Sequence, residues 1–248
     1  MTSANYRDLA GKLVVITGGG RGIGLATARR FLEQGCRVVV LDLEMTDTDL
    51  DAVFLRVDVT DAGAVESAAS DVVARFGTPD VVLNAAGIVR SASAEDMSAA
   101  DWRQVVDIDL SGTFFVCQAF GRRMLEAGRG AIVNIASMSG TVSNFPQKQV
   151  SYNAAKAGVV HLTKTLAGEW ADRGVRVNSV SPGYIATDLT AALLEREPEL
   201  GVIWRERTPM GRLGTPDEVA SVILFLASDA SSLMTGSDVI ADGGYTVW

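Results

Sequence analysis

Seven short apolar runs, separated by longer segments of helical period, constrain the fold of this chain more than any other feature. Strands that alternate with helices along a chain form a parallel sheet covered on both faces. Continuous Val and Ile runs are typical of strands buried on both sides. We therefore predict an α/β, doubly wound fold with a seven-stranded parallel sheet. The predicted strands are residues 13–17, 37–42, 53–59, 81–87, 131–137, 176–183 and 238–244.

The segments between these strands have helical period, and proline or glycine lies at several of their ends. The predicted helices are residues 22–34, 61–76, 98–127, 149–173, 188–206 and 216–228. The stretch LEMTDTDLDA, between the second and third strands, is short and acidic, so we predict a loop there instead of a crossover helix. No repeat or linker interrupts the series, and residues 1–248 are expected to form one domain.

Composition excludes several classes of function. The net charge of -8 makes nucleic acid and anionic membranes unexpected partners. The first residues, MTSANYRDLAGK, lack the pattern of a secretory leader, and no apolar stretch reaches the roughly 18 residues of a spanning helix. We expect a cytoplasmic protein. Cys36 and Cys117 lie in apolar runs and are expected to be small core residues.

The sequence VVITGGGRGIGLATARRF places Gly18, Gly22 and Gly24 after a strand and at the start of a helix. Such turns let the backbone and the helix N-terminus approach a pyrophosphate, as in a Rossmann-type dinucleotide fold. Asp42 ends the second strand, where that fold places a carboxylate against the adenosine ribose. A 2′-phosphate would meet this carboxylate as a like charge, so NAD is favoured over NADP. Arg21 argues against this preference, because its guanidinium could bind the 2′-phosphate of NADP.

In SYNAAKAGVV, Tyr152 and Lys156 are four positions apart on a predicted helix and therefore share a face. A free tyrosine titrates near pH ~10 and is a poor base at neutral pH unless its phenolate is stabilised. A cation one helical turn away supplies that stabilisation. Tyr152 could then accept a proton from an alcohol while hydride leaves its carbon, or return one to a carbonyl.

Several motifs, in order, resemble the short-chain dehydrogenase/reductase family over essentially the whole chain. They are TGGGRGIG, DVT (58–60), NAAG (84–87), NIASMSG (134–140), YNAAK (152–156), PGYIAT (182–187) and the closing DGGYTVW. The resemblance implies that Tyr152 is the general acid/base. It also implies that Lys156 holds the nicotinamide ribose and lowers the tyrosine pKa, and that Ser137 hydrogen-bonds the reacting oxygen.

The same resemblance implies a set of cofactor contacts. Asp58 and Val59 are expected to flank the adenine, and Asn84 to lie against the adjoining ribose. Ile185 and Thr187 are expected to grip the carboxamide and so fix the ring face that delivers hydride. The full expected set is Gly18, Arg21, Gly22, Ile23, Gly24, Asp42, Asp58, Val59, Asn84, Ala85, Ala86, Gly87, Tyr152, Lys156, Pro182, Gly183, Ile185 and Thr187.

The segment SGTVSNFPQKQVS, which precedes Tyr152, is polar. Its Asn144 and Gln147 could meet hydroxyl groups, so a polyol or sugar alcohol is the first choice of substrate. Ser139 is a rival for the role of Ser137. The residues expected at the substrate are Ser137, Ser139, Asn144, Gln147 and Tyr152, and by resemblance residues 188–207 match a mobile substrate lid.

One position departs from the family pattern. The family usually has asparagine in the helix before the fifth strand, where its backbone carbonyl holds a water that relays protons to the lysine. In VVDIDLSG this chain has Asp109, which we count with the catalytic residues. If the backbone carbonyl and its water relay the protons, the reaction does not depend on the side chain at this position. A carboxylate could instead pair with Lys156, weaken its effect on Tyr152 and slow the reaction or shift its pH optimum.

Assembly and metal binding are further expectations. Family members are commonly tetramers built through helices that match 98–127 and 149–173, so a homotetramer is expected. Tyr245 and Trp248 make an aromatic chain end that indicates an intersubunit contact. In some relatives the terminal carboxylate helps hold a structural magnesium ion. No His, Cys and carboxylate cluster in the sequence indicates a catalytic metal, and His161 is expected at a helix or subunit contact.

The sequence thus predicts an NAD-dependent dehydrogenase of secondary alcohols, with two alternatives. One is a 3-oxoacyl carrier-protein reductase using NADPH, in which Arg129 and Arg173 could face an acidic carrier. The other is a nicotinamide-binding regulator without useful turnover, in which Asp109 marks a disabled site. A preference for NADP over NAD would favour the first alternative. Turnover that is lost in Tyr152→Phe, with NADH binding retained, would exclude the second.

Overall fold

The computed structural model describes residues 5–247, without the side chains of residues 188 and 189. Its centre is a parallel sheet of seven strands in the order β3-β2-β1-β4-β5-β6-β7, which confirms the predicted fold class. Several predicted strands ran too far into the turns that follow them. The strands are β1 (Leu13–Thr17), β2 (Arg37–Asp42), β3 (Val53–Arg56), β4 (Val81–Asn84), β5 (Gly130–Ile135), β6 (Val175–Pro182) and β7 (Asp238–Ala241).

The helices are α1 (Gly22–Glu33), α2 (Ala62–Phe76), α3 (Ala99–Val106), α4 (Thr113–Ala127), α5 (Val150–Trp170), α6 (Asp188–Arg196), α7 (Pro198–Arg207) and α8 (Pro216–Ala227). The segment predicted as one helix at 98–127 is helical from Ala99 to Ala127, but a π-helical turn at Asp107–Gly112 divides it into α3 and α4. The helix predicted at 188–206 is two helices, since Pro198 lacks the amide needed inside a helix and starts α7 instead. The loop predicted at 43–52 is confirmed. Within residues 5–247, no helix is both long and apolar enough to cross a membrane.

Two hydrophobic cores lie on the two faces of the sheet. Successive residues of a strand point to opposite faces, so Leu13 joins one core and Val14 the other. The first core packs against α2, α4 and α5, and the second packs against α1 and α8. Cys117 lies in the first core and Cys36 in the second, which confirms that both are buried core residues.

The order of the strands positions the site. β1 lies between β2 and β4, so the chain changes direction across the sheet at the boundary of β1 and β4. Open α/β sheets bind ligands in the crevice beyond the carboxyl ends of the strands at such a point. The glycine turn follows β1 and residues 85–87 follow β4. The sequence motifs therefore converge on one edge of the sheet.

Candidate active site

Tyr152 and Lys156 lie in the first two turns of α5. The Lys156 Nζ lies 5.6 Å from the centroid of the Tyr152 ring, which confirms the predicted shared face. The lysine is 3% exposed and donates a hydrogen bond to the backbone carbonyl of Ile135 at 2.9 Å. A buried cation therefore stands beside the phenol.

Asp109 is the second charge behind the phenol, and it is fully buried in the π-helical turn. Its Oδ2 lies 3.2 Å from Lys156 Nζ, and its Oδ1 accepts a hydrogen bond from the backbone N–H of Ile88 at 2.9 Å. Its backbone carbonyl accepts a hydrogen bond from Thr113 Oγ1 at 2.8 Å. Of the two arrangements expected at this position, the structure shows the carboxylate paired with the lysine.

These three groups alter one another's proton affinity. Burial raises the pKa of Tyr152, the Lys156 charge opposes that rise, and the Asp109 carboxylate adds to it. Burial alone would lower the pKa of Lys156, but Asp109 and Tyr152 together raise it above its ordinary value. Burial raises the pKa of Asp109 against the pull of Lys156. The lysine is held charged, and Asp109 weakens its effect on the phenol.

Ser137 follows β5 and caps a short 3₁₀ turn at Met138–Gly140. Its Oγ accepts a hydrogen bond from the Ser139 N–H at 3.1 Å and donates one to the Ser139 Oγ at 3.0 Å. A Cβ at Gly140 would lie 2.8 Å from the backbone of Lys156, so only glycine lets this turn pack on α5. The packing holds Ser137 at the same cavity as Tyr152.

The glycine turn between β1 and α1 leaves an open cleft at the N-terminus of α1. Gly18 has a φ of +64°, and a Cβ there would lie 2.5 Å from the backbone nitrogen of Ala86, so the turns after β1 and β4 meet only because this residue is glycine. Across the cleft, the nearest atom to a Cβ placed at Gly22 would be a Thr187 methyl at 3.8 Å. The N–H groups of a helix N-terminus facing such a space suit a pyrophosphate.

Asp42 borders the same cleft. Its Oδ2 accepts a hydrogen bond from the Gly20 N–H at 2.8 Å, and its Oδ1 accepts one from the Leu43 N–H at 2.7 Å. Each carboxylate oxygen keeps a second lone pair, which a ribose hydroxyl could use. Arg21 is exposed at the start of α1. The residues present therefore fit a dinucleotide cofactor.

Three further residues that were expected at the cofactor differ in their exposure to solvent. Asp58 is exposed and its Oδ1 accepts hydrogen bonds from Thr60, whereas Val59 is buried. The Asn84 side chain is 2% exposed and donates to Asn134 Oδ1 at 2.8 Å. This side chain points into the core. Any cofactor contact at this position would come from the backbone.

A cavity of about 330 Å³ opens beside Tyr152 at the carboxyl ends of the strands. It brings together ten of the predicted site residues: Ile23, Ser137, Ser139, Asn144, Gln147, Tyr152, Pro182, Gly183, Ile185 and Thr187. Asp109 and Lys156 lie behind Tyr152, outside this lining. We call Ser139, Asn144, Gln147 and Gln149 the polar wall of the cavity.

The lining residues that the sequence did not single out include Gln149, Tyr184 and Trp204. Gln149 directly precedes α5 and lies three residues before Tyr152, and this closeness in sequence could have indicated it. Tyr184 lies inside the quoted motif PGYIAT. Trp204 lies in α7, within the segment 188–207 expected to be a lid, but nothing in its local sequence distinguishes it from the other residues of that segment.

An aromatic cluster anchors α7 to the body of the protein. Trp204 is 2% exposed and its ring stacks on Tyr184, with centroids 4.2 Å apart and an angle of 5°. Tyr245 packs edge-on against the other side of the cluster, with its centroid 5.4 Å from that of Tyr184. The described part of the aromatic chain end thus packs against the chain's own site.

The remaining expectations concern the surface and the chain end. Trp248, and with it the terminal carboxylate expected to hold magnesium, lies outside the described residues. His161 is exposed on α5. Among residues 5–247, no three His, Cys, Asp or Glu side chains are grouped as metal ligands.

A doubly wound sheet that brings a phenol, a buried ammonium and a dinucleotide-shaped cleft to one edge has the arrangement of a nicotinamide-dependent oxidoreductase. A family model described as enoyl-(acyl carrier protein) reductase matches residues 18–246. The chain belongs to the short-chain dehydrogenase/reductase family and is an oxidoreductase acting on CH–OH groups.

Relatives cover almost the whole chain. Galactitol 2-dehydrogenase (L-tagatose-forming) of Cereibacter sphaeroides is 46% identical, over 97% of this chain and 97% of its own. D-threitol dehydrogenase of Mycolicibacterium smegmatis is 43% identical, over 96% of this chain and 94% of its own. The structure of ligand-free aldohexose dehydrogenase from Thermoplasma acidophilum matches with a TM-score of 0.92 and 32% identity, over 98% of this chain and 97% of that one. The predicted resemblance to the short-chain dehydrogenase/reductase family is confirmed, and its relatives include polyol dehydrogenases.

Proposed function

We propose that the protein is an NAD-dependent dehydrogenase that interconverts a secondary alcohol, namely a polyol or sugar alcohol, and the corresponding ketone. The observation that carries this proposal is the placement of Ser137 and Tyr152 at one cavity, with the buried Lys156 ammonium behind the phenol. Relatives whose names contain galactitol and D-threitol support the substrate class.

The chain's own residues account for the proton transfer. Oxidised nicotinamide, when bound, accepts hydride and places a positive charge beside the phenol. Tyr152, as the phenolate, takes the proton of the substrate hydroxyl while its carbon loses hydride, and a ketone results. Lys156 stabilises the phenolate, and Ser137 hydrogen-bonds the reacting oxygen. In the direction of reduction, Tyr152 returns the proton to the carbonyl oxygen.

The preference for NAD rests on Asp42. The turn from Gly18 to Gly24 would hold the pyrophosphate, and the Asp42 carboxylate, fixed by two backbone N–H groups, would accept hydrogen bonds from the ribose. A 2′-phosphate would lie against this fixed negative charge. We therefore expect NADP to bind more weakly than NAD.

The polar wall supports a substrate rich in hydroxyl groups. Ser139 and Asn144 are buried and Gln147 is half-buried, and all three border the cavity. Polar groups in a largely enclosed site favour ligands that satisfy their hydrogen bonds. A sugar alcohol offers a hydroxyl on each carbon next to the reacting one.

The carrier-protein alternative loses support from the placement of its two arginines. Arg129 directly precedes β5 and Arg173 lies shortly before β6, so both stand at the amino ends of the strands. The cavity lies at the carboxyl ends, about 20 Å away for a strand of six residues. A carrier that engaged these arginines would not meet the mouth of the cavity.

The proposal is tested by measuring nicotinamide reduction with NAD and NADP in parallel over sugar alcohols, including galactitol and D-threitol, and simple secondary alcohols. We expect turnover with NAD on sugar alcohols. Loss of the general base in Tyr152→Phe should lower the rate by roughly 10²- to 10⁴-fold, with NADH binding retained. Tyr6→Phe, which lies outside the cavity, is the matched control.

Each contrary result has a distinct meaning. A preference for NADP would favour the carrier-protein reductase. NADH binding without turnover of any alcohol would favour the regulator in which Asp109 marks a disabled site.

We also propose that the protein is a cytoplasmic homotetramer, that residues 1–248 act as one catalytic domain, and that residues 188–207 close over the substrate. Phe114 is an exposed apolar residue on α4, the helix expected at a subunit contact. Sedimentation velocity would check the oligomeric state.

A further inference from the structure

Gln149 occupies the centre of the polar wall. Its Nε2 lies 3.3 Å from Ser139 Oγ, 3.1 Å from Asn144 Oδ1 and 3.1 Å from Asn153 Oδ1. Two amide oxygens beside the same nitrogen identify this atom as the donor end of the Gln149 amide. The two hydrogens of this amide are shared among three acceptors, of which Ser139 and Asn144 belong to the wall and Asn153 does not.

Ser139 connects Gln149 to Ser137. The Ser139 Oγ accepts one hydrogen bond from Ser137 Oγ at 3.0 Å and another from Gln149 Nε2 at 3.3 Å. A hydroxyl group has two acceptor sites and one hydrogen. Both acceptor sites of Ser139 are used, so its remaining capacity is its own hydrogen.

Ser137 has to change its partner when a substrate is present. In the structure its hydrogen points to Ser139, whereas the reacting oxygen requires a donor as negative charge develops on it. When Ser137 turns its hydrogen to that oxygen, the hydrogen of Ser139 can replace the lost bond by donating to Ser137 Oγ. No proton leaves either serine, because only the directions of the hydrogen bonds reverse.

After this reversal, the donors form one chain from Gln149 through Ser139 and Ser137 to the reacting oxygen. Each hydrogen bond in such a chain polarises the next one. A carboxylate in place of the amide would accept the hydrogen of Ser139. Ser139 could then only accept from Ser137, and the Ser137 hydrogen would stay turned away from the substrate.

We propose that Gln149 is a positioning residue that, by donating to Ser139, directs the Ser137 hydroxyl toward the reacting oxygen. This inference rests on the proposed function. It assigns to Ser139 the role of a connector between Gln149 and Ser137 instead of a rival to Ser137.

Gln149→Glu tests the proposal because it preserves the shape of the side chain and removes its N–H donors. We expect kcat to fall roughly 10- to 100-fold, below or near the effect of removing one oxyanion donor outright. The Kd for NADH, measured by fluorescence, should stay within about twofold. Asn153→Ala is the matched control, since it removes the third partner of Gln149, which lies outside the cavity lining, and should keep kcat within about twofold.

A double-substitution cycle with Ser137→Ala distinguishes this role from a general disturbance of the wall. If Gln149 acts through Ser137, adding Gln149→Glu to Ser137→Ala should change the residual single-turnover rate by less than about twofold. An equal loss in both backgrounds would overturn the proposal, as would an unchanged kcat in the single variant.

The outcomes also separate this inference from the proposed function. If Ser137→Ala and Tyr152→Phe both leave turnover intact, the proposed function fails and the inference fails with it. If both substitutions abolish most of the turnover and Gln149→Glu does not lower it, only the role of Gln149 fails.

Discussion

The Asp109 carboxylate lies 3.2 Å from Lys156 Nζ and is fully buried. Burial raises the pKa of Tyr152, Lys156 opposes that rise and Asp109 adds to it. The negative charge thus cancels part of the help that the lysine gives to the phenolate. At this single position the chain leaves less of the Tyr152 phenol ionised at neutral pH than the lysine alone would give.

Asp109→Asn should move the acidic limb of the alcohol-oxidation profile to lower pH. Oxidation requires the phenolate, so the rate falls as the pH drops through the pKa of Tyr152, and removal of the carboxylate lowers that pKa. A gain of about 1 kcal/mol for the phenolate corresponds to a rise in kcat/KM at pH 7 of roughly 3- to 10-fold. The measurement is the pH dependence of kcat/KM for both proteins.

The asparagine variant keeps one oxygen, which can still accept the hydrogen bond from the Ile88 N–H, and replaces the oxygen that faces Lys156 by an uncharged NH2 group of the same size. A limb displaced to higher pH would contradict the prediction. It would show that Lys156 loses its proton when Asp109 no longer compensates for its burial.

The site residues that were predictable are those with a local spacing. The four-residue interval from Tyr152 to Lys156 fixes their shared face, and the motif around Ser137 fixes its place after β5. Gln149 was missed because its partners come from the turn after β5, the following loop and α5 itself. Asn84 was expected to lie against the ribose, but a residue at a strand end can face either layer, and this one faces Asn134.

Among the elements, α6 and α7 divide the segment expected to act as a lid. α7 is pinned through Trp204, whereas α6 contributes Thr190, Leu193 and Arg196 to the cavity lining. If residues 188–207 close over the substrate, the larger displacement should therefore be that of α6, with Glu197 and Pro198 at the boundary of the two helices.

Trp204→Ala should release α7 from the body of the protein. Truncation of a buried aromatic residue costs about 3 kcal/mol or more, which for a chain of this size is roughly 6–12 °C in Tm. Trp204→Phe retains a ring against Tyr184 and should lose much less. Thermal unfolding of the three proteins is the measurement, and equal Tm values would show that Trp204 does not anchor α7.

Sequence signals for these elements differ in strength. Pro198 indicates a helix start, and weighing it would have divided the helix predicted at 188–206. The π-helical turn at Asp107–Gly112 has no comparable signal, because it depends on packing such as that of Gly112 against Val59. The alternation of strands and helices was sufficient for the sheet itself, since each run is short, β-branched and separated from the next.

In the whole molecule, each face of the sheet carries one cysteine in its core. Burial raises the pKa of Cys36 to about 11 and that of Cys117 to about 12. Below these values the thiols are protonated, and burial also blocks access to them. Both should therefore be unreactive toward a disulfide reagent at pH 8 in the folded protein.

If residues 1–248 unfold as one cooperative unit, both thiols should become reactive at the same urea concentration. Cys36→Ser and Cys117→Ser leave one thiol each, so every face of the sheet can be followed separately. The measurement is the extent of thiol labelling as a function of urea concentration. Two separated transitions would show that the two cores unfold independently and would contradict the single domain.

The stack of Trp204 on Tyr184 also gives the molecule an intrinsic optical probe. The indole lines the cavity, so a ligand that enters the cavity changes the surroundings of a fluorophore at its wall. Emission should report substrate binding in Tyr152→Phe, where slow turnover consumes little of the ligand, and Trp204→Phe should abolish that response. The chain thereby permits affinity and catalysis to be measured on separate signals without any attached dye.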